Sequence, residues 1–410
     1  MVDLPVRDPL FQGARKVVTV LRDAGHDAWI VGGAVRDLLT GGAPPDYDVA
    51  TSARPEQVMA LFRKTVPVGV QFGVVRVRLM GGEFEVATLR ADVGYTDGRR
   101  PDAVRFTDLR EDVLRRDFTI NGLALDPVTG EVVDLVGGLQ DLADGVLRAI
   151  GDPDARFDED RLRPLRAVRF AARTGFAIAE GTYAAIARHA AAVASVSAER
   201  IADEMRKLLT GPRPGAGIRL MADTGLLAAL LPELPADATR ADAAEALDRL
   251  ADAGGPDRWP AGWALLLWPL GGDGAAGVMG RLRHSRRMID DVAAIVAIGR
   301  ALEGPDPDDV AATKRLLRRA QAPLAVAALG ALRAARGLDA GPAGRAAGLL
   351  AGWTADDLHP ARLVTGNDAM AAGVPRGPRV AAALRAVEDA QLRGDVGTRE
   401  QALAMLRALR

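Results

Sequence analysis

Hydrophobic positions in the first 150 residues change period several times, and each change marks an element. Apolar residues recur at helical spacing from residue 10 to residue 25 and stop at Gly25, which predicts an amphipathic helix. Trp29 to Val31 is a short apolar run ending at Gly32-Gly33. An apolar-periodic segment with Arg36 and Asp37 follows, and a Gly/Pro loop leads to Asp46-Tyr47-Asp48. The pattern reads as strand, glycine turn, helix, loop, strand. Arg54 to Thr65 is a second helix, with Ser52 as N-cap and Pro55 at N1. Val74 to Met80 and Glu83 to Leu89 alternate around a glycine pair and predict a hairpin, while Ala91 to Pro101 is polar and reads as a surface loop. A short helix ending at Arg115-Arg116, an apolar segment, and a hairpin turning at Asp126 to Gly130 complete a compact α/β domain by about residue 150. Beyond it the alternation stops, and the remainder reads as helices broken by Gly and Pro. Among them are Arg156 to Arg173, taken as one helix, and a helix begun by Ser197.

Composition narrows the class. At 410 residues the chain is long enough for roughly two to four domains, and 49% hydrophobic with 26% charged residues is ordinary for a globular protein. There is no cysteine, which excludes disulfides and thiolate metal sites and makes the cytoplasm the expected compartment. The N-terminal stretch lacks a basic segment followed by an apolar core, and no apolar run approaches membrane-spanning length, so neither secretion nor membrane insertion is expected. The formal net charge of -1 gives no hint of a polyanionic partner, although a basic face can bind one regardless of the sum. No protein partner is inferred.

The candidate chemistry gathers between Gly32 and Asp48. Two carboxylates at i and i+2 on a strand share a face, so Asp46 and Asp48 can share a divalent cation. Mg²⁺ takes a few carboxylates and completes its shell with water and phosphate oxygens, which suits such a pair. Gly32 and Gly33, lacking Cβ atoms, allow close approach of a phosphate to backbone N–H groups, and Arg36 in the next helical turn adds a candidate charge-assisted contact. Glu83, Glu85 and Ala87 share a face of the hairpin's second strand; Glu85 is a third metal-site carboxylate if that strand adjoins Asp46 and Asp48, and otherwise an exposed charge.

The ordered combination of strand, Gly-Gly-x-x-Arg-Asp and Asp-x-Asp resembles the nucleotidyltransferase superfamily that includes DNA polymerase β. Its spelling is similar to the class II tRNA nucleotidyltransferases, the CCA-adding enzymes and bacterial poly(A) polymerases. RRDFTINGLAL, containing Arg116, Asp117 and Asn121, resembles that family's RRDFTINA motif and departs from it at Gly122. The resemblance implies that Asp117 and Asn121 contact the ribose and Arg116 the phosphates. Glu159-Asp160-x-x-Arg163 matches the family's EDxxR signature, which implies that Asp160 and Arg163, one helical turn apart on the expected helix, present hydrogen-bonding edges to the incoming base. Arg166 and Arg169 follow on the same face, Glu159 precedes, and the segment from Ser197 to Leu209, including Arg200, resembles the motif that closes the family's neck; these residues are expected to support the site.

The fold that follows from the resemblance is α+β: a polymerase-β-like nucleotidyltransferase head with a mixed sheet at 1–150, then an all-helical neck for base recognition at 151–212, a body at 213–350 and an RNA-binding tail at 351–410. The implied activity is template-independent addition or repair of the 3′-terminal CCA of tRNA from CTP and ATP by two-metal catalysis. The loop at 91–101 favours addition of A as well as C. Alternatives are a poly(A) polymerase of the same family, an enzyme restricted to C or A, and, from another class, an RNA-binding protein that has lost catalysis. In the helical part, Arg281 to Arg287 is a basic cluster that either meets an RNA backbone or is a solvated helix face. Trp259, Trp263 and Trp268 read as core, and Arg376 and Arg379 flank a helix start at Gly377-Pro378 suited to a phosphate.

Overall fold

The structure is a computed structural model that describes residues 4–69, 72–94, 103–235, 239–254, 258–304 and 309–409. The chain divides into two compact units, Met1–Glu204 with Leu220–Leu230, and Met205–Arg219 with Leu231–Arg410.

The first unit is organised on α1 (Pro9–Asp23), β1 (Ala28–Val31), α2 (Gly33–Leu39), β2 (Asp48–Thr51), α3 (Pro55–Leu61), β3 (Thr65–Gly69), β4 (Val74–Leu79) and β5 (Gly82–Thr88). It continues with β6 (Arg90–Val93), β7 (Ala103–Phe106), α4 (Leu109–Leu114), β8 (Ala124–Leu125), β9 (Val132–Val133) and α5 (Gly138–Asp144). Seven strands form one mixed sheet in the order β3-β4-β5-β2-β1-β8-β9, with β2 and β5 parallel and the other neighbours antiparallel. One face packs against α1: Phe11, Val17, Val18 and Leu21 bury against Ile30, Val49, Val77, Phe84 and Val86. Gly13 makes that approach possible, because a Cβ there would lie 2.3 Å from the Phe84 ring. The opposite face has a smaller apolar patch of Val31, Ala50, Leu89 and Ala124. Because side chains alternate, Asp48 and Glu85 fall on this second face, one residue before Val49 and Val86, which are paired across the parallel strands.

Several local expectations change. Ser52 does not cap α3; its Oγ accepts from the Asp27 backbone N–H at 2.9 Å, and Arg54 holds the cap position with Pro55 at N1. The helix ends at Leu61, and Thr65–Gly69 is instead the edge strand β3. Ala91 to Val93 belongs to β6, which pairs with β7 as a separate hairpin; residues 95–102, the centre of the expected loop, lie outside the described residues.

The expected helix from Arg156 to Arg173 is two helices, α6 (Pro153–Glu159) and α7 (Arg163–Thr174). Pro164 has no N–H to give the carbonyl of Asp160, the residue four before it, and its ring crowds that carbonyl. Asp160 accordingly leaves the helix at φ -139° and ψ 103°, and its carboxylate accepts from the Leu162 backbone N–H at 3.0 Å. After α7 come α8 (Glu180–His189) and α9 (Ala198–Leu209), the latter crossing from the first unit into the second.

The described residues of the second unit are helical, with Trp263 and Trp268 in the core as expected. A Cβ at Gly299 would meet the Trp268 ring at 2.1 Å, so the indole seats on bare backbone. The basic cluster is largely paired: Arg281 forks onto Glu233 at 2.6 and 2.8 Å, while Arg286 and Arg287 face Asp290 and Asp291 one turn on. A separate apolar cluster, including Val364, Val387, Ala402 and Leu406, holds the C-terminal helices together. Pro378 begins a helix running to Arg393, with Gly377 at φ 103° before it. Among the described residues no helix is long and apolar enough to cross a membrane.

Candidate active site

The strand β2 begins only at Asp48, so Asp46 and Tyr47 lie in the extended approach to it and not, as the spacing predicts, on the strand itself. Both aspartates are exposed, while Tyr47 between them is 1% exposed and packs its ring on Phe11 at 5.7 Å. Anchoring the tyrosine inward fixes the parity that turns both carboxylates out. Parallel pairing of β2 with β5 then brings Glu85 alongside Asp48. Crowding by protein, then the charge of Glu85, then that of Asp46 push the Asp48 carboxyl up to about 6, with Arg116 opposing them. Glu83 is engaged elsewhere, paired with Arg78 at 2.5 Å and Arg76 at 3.6 Å. Among the described residues no three His, Asp or Glu side chains already form a metal-holding cluster. The donor set is two to three acidic side chains whose mutual repulsion Arg116 only partly relieves, the condition a divalent cation satisfies when substrate oxygens complete its shell.

Beside them β1 ends in the glycine turn. Gly32 caps α2 at φ 76°, a conformation that favours glycine, and a Cβ built there would lie 3.5 Å from Arg116 Nη1. Arg116 thus faces both the turn and Asp48. It is held by Asp112, whose Oδ2 accepts from its Nη2 at 3.0 Å, while Oδ1 accepts from Arg115 at 2.6 Å. Asp112 is 1% exposed; burial opposes its charge, but the two arginines outweigh burial and lower its pKa. Arg36 is placed differently from the sequence expectation. It is 2% exposed, donates to Asn121 Oδ1 at 2.6 Å and to Asp37 Oδ1 at 2.7 Å, and lies over the Phe170 ring at 5.2 Å. Its guanidinium is built into the protein interior.

Asp117 lies two residues before a 3₁₀ turn, Thr119–Asn121, whose last residue is Asn121, and both side chains are buried. The Asp117 carboxylate receives four N–H groups: Phe118 N at 2.8 Å and Asn121 Nδ2 at 3.1 Å on Oδ1, Arg166 Nε at 3.0 Å and Nη2 at 2.7 Å on Oδ2. Burial would raise its pKa, but the charge of Arg166 and the hydrogen bonds from Asn121 and Arg166 win and hold it at about 2. Gly122, where the resembled motif has alanine, is closely packed: a Cβ there would come within 2.8 Å of Val136 and 3.2 Å of Ile150 and Val113.

Asp160 and Arg163 stand on opposite sides of the break between α6 and α7 instead of on one helical face. Each has a dedicated partner. Arg200 forks onto the two Asp160 oxygens at 3.0 and 2.7 Å. Arg163 donates through Nη1 to Glu159 at 2.7 Å and to the Arg156 carbonyl at 2.9 Å, and through Nη2 to the Arg115 carbonyl at 2.8 Å. Arg169, which is 7% exposed, pairs with Glu204. Asp112 and Glu204 had no functional reading in the sequence, and the only available signal was an acidic residue at i-3 and i-4 from Arg115 and Arg116 in the first case.

This arrangement accompanies clear similarity to known proteins. Residues 28–148 match the family model described as "Poly A polymerase head domain", and residues 175–237 match "Probable RNA and SrmB- binding site of polymerase A". The CCA-adding enzyme of Geobacillus thermodenitrificans is 41% identical over 304 residues, 72% of each chain. The chain belongs to the CCA-adding enzyme family. Within that family, the enzyme of Lactiplantibacillus plantarum is 47% identical over 218 residues, 53% of this chain and 52% of that one. The crystal structure of the Bacillus stearothermophilus CCA-adding enzyme in complex with CTP superposes with a TM-score of 0.76 at 35% identity, covering 98% of both chains. The Thermotoga maritima CCA-adding enzyme complexed with tRNA shares the fold at 22% identity, with a TM-score of 0.67 over 99% of this chain and 96% of that one.

Proposed function

We propose that this chain builds and repairs the 3′-terminal CCA of tRNA from CTP and ATP without a nucleic-acid template, releasing pyrophosphate, and that it works in the cytoplasm. The observation that carries the reading is the outward pair Asp46 and Asp48, set beside the Gly32 turn and Arg116 in a chain of this family. Enzymes of the family are metal-dependent, and Mg²⁺ suits hard carboxylate donors that leave positions for phosphate oxygens. Asp46 and Asp48 would hold it, with Glu85 alongside on β5. Bound there, the metal supplies activation of the RNA 3′-hydroxyl and neutralisation of charge on the departing pyrophosphate.

The protein's own groups supply position. Gly32 gives the nucleotide phosphates a close approach to backbone, Gly33 opens α2 behind it, and Arg116, steadied by Asp112, offers a guanidinium on the same side. Arg36 serves by holding Asn121 and Asp37 in place, a revision of its expected phosphate contact. Asp117 and Asn121 meet the ribose. Asp160 and Arg163 read the base, with Arg200 and Glu159 fixing their orientation. Arg166 and Arg169 brace this wall from α7. In phosphoryl transfer such positioning and charge neutralisation account for most of the acceleration. We assign the catalytic head to 1–150, the neck to 151–212, the body to 213–350 and the RNA-binding tail to 351–410.

Purified protein with Mg²⁺ and tRNA lacking its CCA end, given CTP, ATP or both, tests the reading by sequencing of the 3′ ends. Termination at CCA with both nucleotides is the expected result. Long A tails would instead identify a poly(A) polymerase, CC or A alone a restricted enzyme, and no addition a binding protein.

A further inference from the structure

The acidic residue with the greatest burial on α9 is Glu204, 2% exposed. Its Oε2 accepts from Arg169 Nε at 2.5 Å, and its Oε1 lies 3.6 Å from Arg166 Nη1. Arg166 in turn forks through Nε and Nη2 onto Asp117 Oδ2. The Arg169 guanidinium lies 3.9 Å from the Phe170 ring centroid and that of Arg166 5.5 Å, so both cations contact the same aromatic ring as well as carboxylates.

The arithmetic of hydrogen bonds gives this bridge a function. A carboxylate accepts at about four lone-pair positions, and four N–H groups already occupy those of Asp117. For Asp117 to accept a ribose hydroxyl, one donor must yield. The Phe118 N–H is fixed by the backbone, and Asn121 is held from its other end by Arg36. Arg166 places two N–H groups on a single oxygen and has a second carboxylate within reach. Glu204 therefore gives Arg166, which is half-buried, a second carboxylate to turn towards when it releases one bond to Asp117.

The geometry points to Glu204 as a positioning residue for recognition of the nucleotide ribose, acting through Arg166 on Asp117. This rests on the reading of Asp117 as a ribose contact. Without Glu204, Arg166 stays locked on Asp117. The loss falls on nucleotides that bring a 2′-hydroxyl and spares those that do not.

The test is single-nucleotide addition to tRNA lacking its CCA end by the full chain, comparing kcat and KM for CTP and 2′-deoxy-CTP. Wild type, Asp117→Asn and Glu204→Gln are compared. Glu204→Gln is expected to raise KM for CTP by roughly tenfold, with a smaller change in kcat and little change for 2′-deoxy-CTP, a size typical of misplaced binding groups. The ratio between the two nucleotides narrows accordingly, as it does in Asp117→Asn. If Asp117→Asn leaves the ratio unchanged, the ribose reading falls and this inference with it. If Asp117→Asn narrows it and folded Glu204→Gln does not, Glu204 is only structural and the inference alone is overturned. Should Glu204→Gln not fold, Glu204→Asp keeps a carboxylate for Arg169 but withdraws it from Arg166; narrowing is again expected, and an unchanged ratio contradicts the proposal.

Discussion

Asp48 and Asp117 are both aspartates within the first compact unit, yet their surroundings are opposite. Asp48 faces Glu85 and Asp46, with only Arg116 opposing them, and its carboxyl is pushed up to about 6, crowding by protein being the largest cause. Asp117 is more deeply enclosed, yet four N–H groups and the charge of Arg166 hold it at about 2. At one carboxylate the chain's single opposing charge, Arg116, does not outweigh crowding and the acidic neighbours; the other is completed by the chain itself. Burial alone does not distinguish a reactive acid from a scaffold acid, whereas the sign of the neighbouring charges does.

That contrast is broken most severely at the uncompleted site. Asp46→Ala is expected to lower kcat for CTP addition by 10³-fold or more, an order typical of losing transition-state charge stabilisation, while a filter-binding assay shows tRNA affinity largely retained. The completed site fails in a different currency. Arg166→Met leaves Asp117 and Glu204 short of their shared cation and is expected to destabilise the protein by about 3 kcal/mol in urea unfolding, partly offset because Arg166 is about one-third exposed.

The two aspartates also predict opposite responses to pH. Asp117 has a folded pKa of about 2, below the ordinary 3.8, so its contribution to stability is complete above about pH 4 and fades as pH falls towards 2. Asp48 has a folded pKa of about 6, above the ordinary 3.8, so its ionisation opposes folding above pH 6 and that cost is relieved as pH falls from 6 towards 4. Protons compete with metal at Asp48 over the same range. The Mg²⁺ concentration giving half-maximal addition should rise up to tenfold per pH unit below 6 in wild type. A flat Mg²⁺ requirement between pH 7 and 5 would remove Asp48 from the metal site. The smallest effect belongs to Asp48→Asn, which removes the repulsion. In metal-free buffer at neutral pH it should raise Tm by about 2 °C, a modest value because solvent screens charge at an exposed strand end.

Features carried by short-range periodicity were legible in the sequence. The outward pair at Asp46 and Asp48 follows from the two-residue repeat around an apolar Tyr47, and the glycine turn from the end of an apolar run. The adjacency of Glu85 needed the strand order, because β5 reaches β2 only after the chain has passed through α3, β3 and β4. Ser52 has the composition of a helix cap, but its hydroxyl is taken by the backbone of Asp27, a partner 25 residues away. Pro164 did carry the signal for the break at Asp160. The regular spacing of Arg163, Arg166, Arg169 and Arg173 concealed it, since that repeat belongs to α7 alone. The bridge from Asp117 through Arg166 to Glu204 joins three segments distant in sequence, and no local pattern announces it.

The central claim is that Asp46 and Asp48 form an unfinished site that metal and nucleotide complete. Thermal unfolding of wild type and of the Asp46→Asn/Asp48→Asn double variant, each titrated with Mg²⁺ and CTP together, tests it most directly. The predicted result is a Tm that climbs with ligand concentration in wild type and stays flat with Mg²⁺ in the double variant. Equal Mg²⁺-dependent stabilisation of both proteins would place the metal elsewhere and contradict the account.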